Sequence, residues 1–228
     1  MKNLTMILVV VLLLVSGQAD ALGLRADLAY FSAVDSPYHS GELTGVGGGV
    51  TLLDLGVAEL LLEGRLVGDP THLKQLVSLY LKRAADDELQ SGAFLMGDAA
   101  FNVNTEWPLT PDLRIAAKAG IGDIAYFGGL AGEKANYSLY RGVRVGAGLR
   151  RKIAPTASLI ASVEFGPHLV QVFGRPESSS ASWTAVELGV QFNIPLGFVK
   201  GGLRVNSLRE PRDSQRFSGV FLSGGLGF

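Results

Sequence analysis

Histidine is the side chain that most readily moves protons near neutral pH, and this 228-residue chain has three: His39, His72 and His168. None belongs to an H-x-x-x-H pair or similar ligand cluster. His168 shares strand parity with Ser162 and Glu164, and a Ser/His/Glu set could support acyl transfer. Residues i and i+4 on one strand, however, stand about 13 Å apart at about 3.3 Å per residue. A partner would have to come from another strand. The absence of cysteine excludes disulfides, thiolate metal sites, lipoprotein acylation and cysteine nucleophiles. The glycines of TGVGGGVTLL lack a following G-K-[ST], and the G-x-G-x-x-G spacing fails at Val50. The sequence therefore predicts no catalytic residues, no metal and no cofactor.

The remaining reactive groups are charges, and they are ordered. Arg25, Asp27, Glu59, Glu63, Arg65, Asp98, Arg114, Lys118, Arg144, Arg150, Glu164, Glu187, Lys200 and Arg204 all fall on one parity of alternating segments. The other parity is almost free of charge. In LRADLAYF, Leu24, Ala26, Leu28 and Tyr30 oppose Arg25 and Asp27, and in TAVELGVQF, Val186, Leu188 and Val190 oppose Glu187 and Gln191. Alternation of this kind is a strand signal, because successive side chains point to opposite faces of a sheet. Gly and Ala recur on the apolar face, where a soluble core would need bulk and where lipid would be undemanding.

Composition agrees. The chain is 47% hydrophobic and only 18% charged, with 30 glycines, yet nothing after Ala21 is long and apolar enough for a membrane-spanning helix. Twenty basic and 21 acidic residues leave no basic excess for nucleic acid. Residues 1–21 read as a signal peptide: Lys2, an apolar run from Met6 to Val15, and Ala19-Asp20-Ala21 as the cleavage pattern. Residues 22–228 form the predicted mature domain.

Short connections (Asp54 to Gly56, Arg151 to Pro155, Ile194 to Gly197) alternate with longer polar ones (SAVDSPYHSGE, GGLAGEKANYS, GRPESSSAS, REPRDSQR). NTEWPLTPD reads as a connection of middling length. This order predicts an all-β, antiparallel transmembrane β-barrel with short periplasmic turns and longer external loops. About ten strands are expected; twelve would follow if the 68–90 segment, whose THLKQLVSLYLKRAADDELQ reads as helix or as strand, adds a strand pair, and eight if some weak strands are loops.

The final segment FSGVFLSGGLGF places Val220, Leu222, Leu226 and Phe228 on the apolar parity. It resembles the assembly signal of Gram-negative outer-membrane β-barrel proteins, a class that includes small barrels of the OmpA, OmpX and OmpW kind. The resemblance implies an outer-membrane location after export, outer-membrane lipid as surroundings, and the barrel-assembly machinery as a partner during biogenesis. It assigns no surface ligand. Lipid A deacylases of this class carry a local H-x-S-N arrangement, where this chain has His168-Leu169-Val170-Gln171, and no motif matching the omptin-like proteases occurs. Three roles remain open: a structural or surface-interaction barrel, a small-solute pore, or a lipid-modifying or proteolytic enzyme. The charged parity holds eight basic and six acidic residues, so a narrow lumen is expected to be filled by ion pairs, with at most weak anion preference.

Overall fold

A computed structural model describes residues 23–37, 39, 41–55, 58–69, 94–128, 136–174, 179–211 and 213–227. The predicted signal peptide, most of segment 68–90 and Phe228 lie outside the described residues.

Ten antiparallel strands follow one another in chain order: β1 (Gly23–Asp35), β2 (Leu43–Asp54), β3 (Glu59–Gly68), β4 (Phe94–Thr110), β5 (Leu113–Gly128), β6 (Asn136–Ala154), β7 (Ala157–Phe173), β8 (Ser180–Ile194), β9 (Gly197–Arg209) and β10 (Ser214–Gly227). Each pairs with its neighbours, and β1 pairs with β10, so the sheet is a closed barrel. The last strand closes on the first through Leu24 opposite Leu226 and Leu28 opposite Leu222. Closure leaves no strand edge unpaired, which a sheet in lipid requires.

The strands are tilted, as the register shows. Starting at Ala26, directly opposed partners lead through Gly48, Gly64, Ala99 and Asp123 to Arg141 on β6. Going the other way they lead through Gly224, Val199, Phe192 and Ala157 to Ala154 of the same strand. The two arrivals are 13 residues apart, the stagger that a barrel of inclined strands must accumulate.

Parity sorts the side chains as lipid would. Leu28, Leu62, Ile121, Val143, Leu188, Leu203 and Leu222 are each at least 46% exposed on the outer wall. Tyr30, Phe165 and Phe192 are also exposed there, joined by Trp107. On β6, Val143, Val145 and Leu149 form an outward apolar row between Arg141 and Arg151. Those two arginines are ten positions apart. At about 3.3 Å per residue and roughly 40° of tilt, that span projects to about 25 Å, the height of an apolar membrane band. Arg141 closes the upper edge of the band as an outward ion pair, both of its bonds to Asp123 being 2.7 Å.

Several strands run well past the alternating stretches that reveal them. β6 has 19 residues and β4 and β7 have 17 each, against the roughly 9–11 needed to cross the hydrocarbon. NTEWPLTPD is mostly strand: β4 continues through Pro108 to Thr110, with a register shift between those two residues. The missing Pro108 N–H is tolerated at such an irregularity. Gly219 sits where β1 slips register between Phe31 and Ala33. A Cβ there would collide with the Tyr30 carbonyl oxygen, so only glycine permits this close approach.

Candidate functional site

The interior has two layers. At the end carrying the longer connections, an apolar core fills the barrel: Phe31, Leu43, Phe94, Tyr126, Tyr140, Trp183, Leu208 and Phe217 are at most 2% exposed. Phe94 packs on Phe217 with ring centroids 5.5 Å apart, and Phe31 meets Phe217 edge-on at 6.2 Å. Such pairs add about 0.5–1.5 kcal/mol beyond burial. Glu210, just past the end of β9, accepts hydrogen bonds from the Tyr126 hydroxyl (2.9 Å) and from the Tyr140 hydroxyl.

The apolar layer is the feature sequence reasoning missed. Its signal was present: the inward parity simply turns apolar further along each strand. Asp27 is followed by Ala29 and Phe31, Arg65 by Val67, and Glu187 is preceded by Ala185 and Trp183. Reading each parity only as far as its charges hid the change.

Below this layer lies the charge network. All fourteen charges assigned to the inner face by sequence line one cavity of about 500 Å³, together with Asp54 and Glu106. These two acidic groups balance the lining at eight basic and eight acidic side chains. Arg204 is clamped by Asp27 at 2.6 and 3.0 Å and by Glu187 at 2.6 Å. Arg65 also reaches Asp27, at 2.9 Å, and Lys200 reaches Glu187, at 3.3 Å. A second group ties Arg144 to Asp98 and Glu164, and Lys118 to Glu63 and, at 2.6 Å, to Glu164. Asn102 donates to Glu63 at 2.8 Å.

The first group holds three cations and two carboxylates, the second two cations and three carboxylates. Each compensates the other across the lumen. Aromatic rings cap the network from the apolar side: Phe221 lies 4.5 Å from the Arg204 guanidinium, and Trp183 lies 5.8 Å from that of Arg144. Two pairs stand nearer the short-turn end, Arg25 with Glu59 at 2.8 Å and Arg150 with Glu106 at 3.5 Å.

The Ser162, Glu164 and His168 set does not assemble. Pairing of β7 with β8 shifts register between Gly166 and Leu169. That irregularity turns Leu169 fully into the interior and leaves His168 exposed. Glu164 is already committed to Lys118 and Arg144. Val220, Leu222 and Leu226 of the final strand stand on the outer wall, between 44% and 56% exposed.

An antiparallel barrel with a charged interior and a continuous apolar exterior defines an outer-membrane-type β-barrel. No family model matches the chain, and no curated protein matches it. Among solved structures it is similar to the outer membrane protease OmpT from Escherichia coli: 8% identity, 92% of this chain, 94% of that one and a TM-score of 0.50. It is also similar to the N-terminal β-barrel domain of Pseudomonas aeruginosa OprF, at 11% identity, 92% and 100% coverage and a TM-score of 0.38. A third is the translocator domain of the autotransporter NalP from Neisseria meningitidis, at 8% identity, 95% and 93% coverage and a TM-score of 0.39. Likeness at these identities describes a shared fold.

Proposed function

We propose that this chain is a non-conducting barrel of the bacterial outer membrane, with a structural or surface-interaction role. Short turns face the periplasm and the longer connections face outward, the arrangement usual for such barrels. One observation carries the reading: an apolar layer, built around Phe31, Phe94, Trp183 and Phe217, seals the barrel above the ion-paired layer. A solute that passed the paired charges would still have to displace the close-packed rings of the apolar layer. Outer-membrane lipid surrounds the barrel, and the barrel-assembly machinery inserts it. Any surface recognition falls to the outward connections, since loops on a rigid scaffold commonly carry function.

Single-channel recording in planar bilayers tests this. The purified barrel is expected to give no resolvable conductance steps, while a Phe94→Ala, Phe217→Ala double variant gives small ones. Steps from the unaltered protein would instead establish the small-solute pore.

A further inference from the structure

We propose that the short-turn mouth of the lumen binds a small solute through one oxyanion group, a carboxylate or a phosphate, held between Arg114 and Arg150. These two arginines are direct cross-strand partners on β5 and β6, and both line the cavity. Directly opposed side chains have Cβ atoms about 4.5–5.5 Å apart, where like charges destabilise a sheet. Deeper in the lumen every cation is matched by carboxylates. On the β5–β6 side of the mouth the matching fails. Arg150 meets Glu106 only at 3.5 Å, and Arg114 has no ion-pair or hydrogen-bond partner among the described residues.

The surroundings leave room for a guest. Next to the arginine pair on the same inner face stand Ala116 and Gly148, themselves partners, which project almost nothing into the cavity. Its volume of about 500 Å³ lies within the range of roughly 300–1,000 Å³ common for small-molecule sites. Of the other carboxylates toward this end of the cavity, Glu59 is engaged by Arg25, and Asp54 also has a partner of its own. Two guanidinium forks present planar, paired N–H donors that match carboxylate or phosphate oxygens. A bound oxyanion would convert a repulsive pair into a bridged one. That the mouth faces the periplasm rests on the orientation proposed above, whereas the binding itself does not.

The test uses the full mature chain folded in detergent, at constant ionic strength set with chloride. Titration with succinate and, separately, inorganic phosphate is read by calorimetry and by the urea midpoint of unfolding. One saturable site is expected, weakened at least tenfold by Arg114→Gln and by Arg150→Gln. Arg151→Gln, on the outer face of the same strand, should leave it unchanged. Tighter binding of succinate or of phosphate identifies the group as carboxylate or phosphate. Without either probe, Arg114→Gln should unfold at a higher urea concentration than the unaltered protein, because the repulsion is gone. Chloride reproducing the effect of both probes would overturn the proposal. So would an Arg114→Gln variant that binds normally, or one less stable than the parent without probe.

Discussion

Arg204 is the most enclosed charge in the lumen, 1% exposed and bonded to two carboxylates on different strands. Taking a guanidinium out of water costs several kcal/mol, offset here only because both its partners and the Phe221 face are in place. Replacing Arg204 with Met leaves Asp27 and Glu187 with their weaker partners, Arg65 and Lys200. The expected loss is about 3–5 kcal/mol, the cost of stranding buried partners. Arg25→Met, at a mouth position one-third exposed with a single partner, should cost at most about 1 kcal/mol. Equal losses in reversible urea unfolding would contradict the layered interior.

At the scale of the strand, facing decides what a substitution does. Leu62, Val145 and Leu188 project from the outer wall, 44–56% exposed. Arginine at any of them should cost about 2–4 kcal/mol near the bilayer midplane. Arginine at Ser162, which opens into the polar cavity, should cost much less, because a cavity lined by carboxylates can accept the charge. Unfolding in liposomes checks this, and similar costs on both faces would overturn the assigned sides. Gln191 is a poorer control: it is buried and donates to Asn193 at 2.9 Å, so its replacement also loses a bond.

For the whole molecule, closure is the governing constraint. β10 must find β1 across the entire chain, and Leu222 opposite Leu28 fixes their register. The proposed assembly signal lies in this same strand, with Val220, Leu222 and Leu226 on the outer wall. Deleting Phe228 should leave heat-modifiable refolding in detergent nearly unchanged, since one terminal ring adds little to ten paired strands. In cells the same deletion is expected to lower the outer-membrane level sharply. Normal levels at modest expression would reduce the terminus to a strand end.

Strand character and the two faces were legible in the sequence, because side-chain direction alternates residue by residue and needs no knowledge of neighbours. Arg25 and Asp27 opposite Leu24 and Leu28 already separate inside from outside. The need for closure followed from the cost of unpaired backbone in lipid. What only the tertiary structure decided depends on register summed around the barrel. Asp27 meets Arg204, 177 positions away, because the seven intervening strands bring β9 round to within one strand of β1. His168 left the lumen through a local register shift that parity counting cannot see. The apolar layer, too, is a matter of height: two-residue periodicity assigns a face, but only the stagger of tilted strands sets Phe31, Phe94, Trp183 and Phe217 at one level.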